Sequence, residues 1–425
     1  MNIIIKPTKV KGTVATISSK SAAHRLLICA ALADKPCRII CPTLNKDMEA
    51  TASCLEALGA EIRYEGGAFL VKPLLKKKGE ALLNCGESGS TLRFLLPIAV
   101  ALGKKASFKR EGRLAQRPLS PLYEVLSEHG AVLSTPQTEP FLAQGQLKGG
   151  EYEIDGGVSS QYISGLLFAL PLLKEKCTLK ITGKIESQPY IDLTLQALQA
   201  FGIDLKRQGN TFYIANNLSY WAPPEIKVEG DWSNAAFFLA MGALASEEGV
   251  TVSGLNLNSA QGDKEIVKIL ERFGAKVRVN EQEGWVKVQK GDLQGIEIDA
   301  AQIPDLVPIL AVAAAKAKGT TRIFNAGRLR LKESDRLEAI RVNLAALGAE
   351  IEETDDGLII NGGRELKGAK VDSFNDHRLA MSLAAAALLT KEPLEITNAE
   401  AVAKSYPQFW QDLAQVYEKG AITNG

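Results

Sequence analysis

One interval governs this chain: the pattern Leu-x-x-x-Gly, each time followed by a strand-like run, returns about every 72 residues. It occurs with Leu55 and Gly59, Leu126 and Gly130, Leu198 and Gly202, Leu270 and Gly274, and Leu344 and Gly348, and a degenerate copy pairs Val416 with Gly420. The glycines lie 71, 72, 72, 74 and 72 residues apart, so six units account for the 425 residues. The fold must therefore be six copies of one supersecondary design. The glycine's task is structural, that of the left-handed residue which ends a helix.

Each unit carries an early Ala/Leu-rich helix that has a polar start, near Ser19, Ser88, Ser159, Ser233, Asp305 and Asp376. Bodies such as 92–102, 163–173, 235–245, 306–317 and 379–389 are apolar on every side and must lie inside. A second, amphipathic helix starts near Asn45, Arg117, Ser187, Asp263, Lys332 and Lys404. Alternating stretches at 62–64, 69–72, 212–215, 277–279, 286–288 and 358–361 read as strands. A unit is then strand, buried helix, strand, amphipathic helix and a two-stranded hairpin. This is an α/β fold turned inside out, with helices walled by sheet. Six units could close one ring or two sets of three. The polar, Pro-containing stretch 223–231 at the end of the third unit favours two domains, 14–227 and 1–13 plus 228–425, with hinges near 13–19 and 223–231. The strand at 2–6 has no partner within the repeat and is expected to cross to the second domain.

Composition narrows the function. Fifty basic and 49 acidic side chains leave a net charge of +1, so no global field draws nucleic acid or an anionic membrane. No run reaches eighteen uncharged apolar residues and the start lacks a leader pattern, so a cytoplasmic protein without a membrane segment is expected. The six cysteines lack CxxC spacing and read as reduced, buried thiols. No GxxxxGK[ST] is present, no GxGxxG opens a helix after a strand, and the three histidines lack metal spacing, so neither nucleotide nor metal nor any other cofactor is expected. His129 reads as a surface or helix-end residue, and His24 as packing beside the site.

Chemistry gathers where the buried helices begin. Ser19-Lys20-Ser21 with Arg25 opens the first, and Glu87-Ser88-Gly89-Ser90 with Arg93 opens the second. Ser159-Ser160-Gln161 opens the third. The other half contributes Pro304-Asp305 and Asn375-Asp376-His377-Arg378, and the amphipathic-helix starts add Arg117, Ser187, Lys332-Glu333-Ser334-Asp335-Arg336 and Lys404. Helix N-termini carry partial positive charge and free N–H groups, so cations placed there make anion sites. Eight cations (Lys20, Arg25, Arg93, Arg117, Lys332, Arg336, Arg378 and Lys404) face the four acids Glu87, Asp305, Glu333 and Asp335. One phosphate leaves such a site overcharged, whereas two phosphorylated carboxylates, together about −6, nearly balance it.

These motifs, together with Gln116-Arg117-Pro118 and Ser187 with Pro189-Tyr190, resemble the enolpyruvyl transferases along the whole chain. The resemblance implies two domains, each a threefold βαβαββ repeat, with the active site in the interdomain cleft. It implies transfer of enolpyruvyl from phosphoenolpyruvate to the 5-hydroxyl of shikimate 3-phosphate, with release of phosphate, in aromatic amino-acid biosynthesis. By the same resemblance, Lys20, Ser21, Arg25, Ser159, Ser160, Gln161, Ser187, Tyr190, Asp305, Arg328 and Lys332 hold shikimate 3-phosphate. Lys20, Gly89, Arg93, Arg117, Gln161, Arg336, Arg378 and Lys404 hold phosphoenolpyruvate, and Glu87, Ser90 and His377 support them from behind. Asp305 corresponds to the base for the hydroxyl and Glu333 to the acid for the enol carbon, with Lys20 assisting. Gly89 matches the glycine that leaves room for glyphosate, which implies inhibition.

Ile17-Ser18, Glu87 and Arg328 depart from the common family pattern of Pro-Gly, Asn and Asn. The sister enzymes acting on UDP-N-acetylglucosamine carry a Cys or Asp ahead of the Arg-Pro pair, where this chain has Arg113-Leu114-Ala115-Gln116. RNA-cyclase-like relatives need a nucleotidylated histidine, and a non-catalytic anion binder would take phosphoenolpyruvate without turnover. A monomer is expected.

Overall fold

The computed structural model describes residues 1–74, 79–216 and 218–425. The chain divides into two compact units, Ser18–Val228 and Met1–Ile17 with Glu229–Gly425. In the first unit the helices are α1 (Lys20–Leu32), α2 (Lys46–Leu58), α3 (Gly89–Ala101), α4 (Leu122–Glu128), α5 (Ser160–Ala169) and α6 (Gln188–Ala200). In the second they are α7 (Trp232–Ala245), α8 (Ile266–Phe273), α9 (Val307–Lys316), α10 (Arg336–Ala346), α11 (His377–Ala386) and α12 (Phe409–Val416). The odd-numbered helices are the apolar ones. All of α7 except Ala245 is buried, and α1 is buried from Ala22 to its end.

Among the described residues, six four-stranded sheets cover these helices, all with one plan: a parallel edge pair followed by two antiparallel strands. In one, Gly150–Asp155 pairs parallel with Cys177–Thr182, which pairs antiparallel with Thr211–Ile214, which pairs with Lys206–Gln208. Alternation sets the faces: in Val250–Ser253 the two valines are buried and the two hydroxyl residues half-buried. Among the described residues each unit encloses one hydrophobic cluster, built from its odd-numbered helices, the inner faces of its sheets and the buried faces of its even-numbered helices.

The sheets close by long-range returns. Glu225–Lys227 runs parallel to Cys37–Ile40, so part of the stretch read as linker is the edge strand of the first sheet. Gly12–Ala15 pairs parallel with Val250–Ser253. Residues 14–17 therefore lie with the second unit, because the edge strand that holds them belongs to its sheet. Ile3–Ile5 inserts between Leu394–Thr397 and Ile422–Asn424, filling in the sixth sheet the place that a hairpin strand fills elsewhere.

Several helix starts lie a few residues from where the pattern put them. Asp231, not Ser233, caps α7, and its side chain accepts from the Asn234 amide. Arg117 precedes Pro118 and is extended (φ −72°, ψ 139°), as a residue before proline must be, so α4 begins only at Leu122. Asp263, Asp305 and Lys404 sit in 3-10 turns, Gly262–Glu265, Pro304–Leu306 and Ala399–Lys404, ahead of α8, α9 and α12. Lys332 follows a fourth such turn, Gly327–Leu331, and Asp335 caps α10. The recurring glycines have the expected conformation, with Gly59 and Gly274 capping α2 and α8 at φ 115° and 108°. All six cysteines are buried and none is in a disulfide. Among the described residues no helix is long and apolar enough to cross a membrane.

Close helix-to-sheet approach depends on small residues. A Cβ on Gly242 of α7 would lie 2.4 Å from the Val288 carbonyl oxygen, a backbone atom of the covering sheet. Gly242→Ala is therefore expected to reverse the usual helix preference for Ala and destabilise the protein by about 1–3 kcal/mol, read as a lower denaturant midpoint. An unchanged or higher midpoint would show that the helix moves freely off the sheet.

Candidate functional site

In the first unit, α1 begins under the cap of Ser19, whose side chain accepts from the Ala22 amide, and this puts Lys20 and Ser21 in the first turn. Lys20 Nζ lies 2.8 Å from Asp47 Oδ2, in the first turn of α2. Arg25 is 3% exposed. It donates from Nε to Thr194 Oγ1 (2.9 Å), from NH1 to the Ser21 carbonyl (2.7 Å) and from NH2 to the Tyr190 carbonyl (2.8 Å). Its guanidinium also lies 5.1 Å from the Phe94 ring centre. Burial lowers its pKa to about 10, which leaves it charged at neutral pH. Ser187 and Tyr190 open α6, with Ser187 in the left-handed region at φ 54°.

The mouth of α3 is a second cluster of the same unit. Arg93 NH1 donates to Gln161 Oε1 (2.6 Å), and Gln161 Nε2 donates to Ser90 Oγ (2.9 Å), which ties the starts of α3 and α5 together. Arg93 NH2 and the Tyr162 hydroxyl both reach the Pro118 carbonyl, fixing the peptide that follows Pro118, one residue past Arg117. A Cβ on Gly89 would lie 2.8 Å from Arg117 NH1, so only glycine lets that guanidinium lie against the helix start. The Glu87 carboxylate lies against Gly112, at the foot of the turn leading to Arg117. Ser159 caps α5 and Ser160 is its first residue.

In the second unit the groups converge on Arg336, the first residue of α10 and 1% exposed. It donates to Asp376 Oδ2 (2.7 Å), Asp305 Oδ1 (2.8 Å) and Glu333 Oε2 (2.8 Å). Burial opposes its charge, but these three carboxylates overcome that and hold the guanidinium above its ordinary range. Asp305 also accepts from Arg378 NH2 (3.0 Å), and Lys332 Nζ lies 4.0 Å away. The side chain of Lys332 is 26% exposed, yet the surrounding protein lowers its pKa to about 8. Burial is the main cause, Asp305 opposes it, and Arg336 and Arg328 reinforce it. Asp376 caps α11, accepting from the Arg378 amide and the Ser334 hydroxyl. Lys404 Nζ donates to the Asn375 carbonyl (2.6 Å), Arg328 to the Ala301 carbonyl, and His377 is the buried first residue of α11.

The residues singled out in the sequence thus gather at helix starts, one set on each unit. The charge balance differs from the sequence reading, because Asp47 and Asp376 were left out of it and each neutralises a site cation. Asp263 was also missed as a site acid. It is 2% exposed, bonds the Ser233 hydroxyl, and is raised to about pKa 7 by burial and then by Asp305. In sequence, Asp47 and Asp376 look like ordinary helix-start acids, and only their partners distinguish them. Among the described residues no group of three His, Cys, Asp or Glu side chains could hold a metal ion.

Such a set can bind phosphate and carboxylate groups, and it offers two carboxylates held by one guanidinium for moving protons. Comparison with known proteins points the same way. Residues 4–413 match the family model of EPSP synthase (3-phosphoshikimate 1-carboxyvinyltransferase). The chain is 45% identical to the 3-phosphoshikimate 1-carboxyvinyltransferase of Clostridium perfringens strain ATCC 13124, covering 100% of this chain and 99% of that protein. It is 42% identical to that of Clostridium kluyveri, with 96% of each covered. The structure of EPSP synthase from Acinetobacter baumannii superposes with a TM-score of 0.80 at 26% identity over the full length of both chains. The enolpyruvyl transferase NikO from Streptomyces tendae shares the fold, with a TM-score of 0.80 at 19% identity over 99% of this chain and 98% of that one.

Proposed function

Because the chain belongs to the EPSP synthase (3-phosphoshikimate 1-carboxyvinyltransferase) family, we propose that it transfers the enolpyruvyl group of phosphoenolpyruvate to the 5-hydroxyl of shikimate 3-phosphate. The products are 5-enolpyruvylshikimate 3-phosphate and phosphate. The observation that carries the assignment of roles is the sharing of Arg336 between Asp305 and Glu333. The guanidinium fixes the direction of both carboxylates.

In this reading Asp305 takes the proton of the 5-hydroxyl as its oxygen adds to C2 of phosphoenolpyruvate. Glu333, assisted by Lys20, delivers a proton to C3, and a tetrahedral adduct with a methyl group results. The methyl then gives a proton back as the C–O bond to phosphate breaks and phosphate leaves. Arg93, Arg117, Arg336, Arg378 and Lys404, with Gln161 and the open face at Gly89, hold phosphoenolpyruvate and steady the charge of the adduct. Ser21, Arg25, Ser159, Ser160, Ser187, Tyr190, Arg328 and Lys332 hold shikimate 3-phosphate. Arg25 spends three of its N–H groups on protein acceptors, so its part is to shape the pocket as much as to touch the ligand. Inhibition by glyphosate in competition with phosphoenolpyruvate goes with this reading, as does a cytoplasmic monomer that uses no cofactor or nucleic acid.

Phosphate release tests it. Turnover is expected with both substrates and not with either alone, and Asp305→Ala is expected to lower kcat by about 10²- to 10⁴-fold while phosphoenolpyruvate still binds. Turnover with UDP-N-acetylglucosamine in place of shikimate 3-phosphate would assign the sister activity, and an Asp305→Ala enzyme of normal rate would remove the proposed base. A second expectation follows from Lys332. As pH rises through about 8 the free enzyme loses this cation, so kcat/KM for shikimate 3-phosphate falls. Lys332→Arg keeps its charge and is expected to flatten that limb of the profile, and an identical fall in both enzymes would assign the titration to another group.

A further inference from the structure

We propose that His24 is a positioning residue for the phosphoenolpyruvate end of this site: it feeds a one-way chain of hydrogen bonds, through Thr51 and Thr91, into Ser88, the cap of α3. The four side chains come from α1, α2 and the start of α3, and each is 0–1% exposed. His24 Nδ1 lies 2.6 Å from Thr51 Oγ1, Thr51 Oγ1 lies 2.7 Å from Thr91 Oγ1, and Thr91 Oγ1 donates to Ser88 Oγ at 2.8 Å.

Counting protons fixes the direction. Each threonine hydroxyl owns one hydrogen. That of Thr91 is spent on Ser88, so the bond between the threonines uses the hydrogen of Thr51. Thr51 then has none left for His24, and the remaining contact requires a hydrogen on Nδ1. His24 is therefore the Nδ1–H tautomer, and its buried Nε2 is an acceptor with no partner among the described residues. Burial, then Lys20 and Arg25, keep the ring from taking a second proton.

The far end of the chain is where this matters. Ser88 Oγ accepts from both the hydroxyl and the amide of Thr91, which fills its two lone pairs. Its own O–H is left as a donor, and its backbone is pinned directly ahead of Gly89 and Ser90. Those residues meet Arg117 and Gln161. A leucine at position 24 would remove an unsatisfied buried acceptor, and with it the first donor of the chain. The proposal rests on the reading that Gly89, Arg93 and Arg117 hold phosphoenolpyruvate.

Two experiments on the full-length protein test it. Nitrogen-15 NMR of histidine-labelled protein is expected to show Nδ1 of His24 protonated and Nε2 bare, and the opposite pattern would overturn the chain. This measurement needs no substrate, so the proposal can fail while the enolpyruvyl-transfer reading stands. Absence of turnover in the unmodified protein would remove that reading and leave the tautomer untouched. In kinetics, His24→Leu is expected to raise KM for phosphoenolpyruvate by about fivefold, the scale of one lost hydrogen bond. Its kcat and its KM for shikimate 3-phosphate should stay within about twofold. His24→Asn, whose amide can still donate to Thr51, is expected to restore the phosphoenolpyruvate KM. An unchanged KM in His24→Leu, an equal rise in both KM values, or an Asn variant as impaired as Leu would each contradict the positioning role. Should His24→Leu fail to fold, the NMR pattern and the Asn variant decide.

Discussion

A guanidinium with almost no exposed surface must have its donors paired, and at Arg336 the second unit is arranged to pair them with three carboxylates. Its three partners come from three separate segments: Asp305 from the turn before α9, Glu333 from the segment before α10, and Asp376 from the cap of α11. Removing any one costs the guanidinium a charged acceptor. One interaction therefore sets the spacing of helix starts and the directions of the two carboxylates assigned to proton transfer. Arg378 and Lys332 add to the same cluster from either side of Asp305.

The first unit meets the same demand with fewer acids. Arg25 and Arg93 rest on carbonyls, hydroxyls and ring faces, with Asp47 beside Lys20 as the counterion. Neutral partners satisfy the donors without cancelling their charge, so cations here remain available to anionic substrate. Both arrangements are possible because the helix bodies are apolar all round. Buried along their length, these helices can present polar groups only at their ends, and the end of an α-helix that favours anions is the one where the chain begins it.

How much of this was legible in the sequence depends on the range of the interaction. The 72-residue interval, the buried helices and their polar starts are written locally, and α1, α3, α5 and α11 begin at the residues the pattern indicated. The 3-10 turns before α8, α9 and α12 were not legible, because a hydroxyl or acidic residue signals a helix start without stating how many residues the first turn wastes. The return of Glu225–Lys227 to the first sheet was missed for a different reason. Its three residues, Glu225, Ile226 and Lys227, look like linker, and their partner lies almost the length of a unit's three repeats away. Asp47 and Asp376 were hidden by being good caps or first-turn acids in their own right. Their second role appears only when a cation from another helix is placed beside them.

The roles proposed for Asp305 and Glu333, base for oxygen and acid for carbon, require that the enolpyruvyl carbon pass through a methyl group. Running the reaction in deuterium oxide with unlabelled substrates examines that step directly. Addition followed by elimination predicts deuterium in the methylene group of 5-enolpyruvylshikimate 3-phosphate, because the transient methyl loses hydrogen or deuterium on collapse. Product formed at full rate with a methylene free of deuterium would contradict the account.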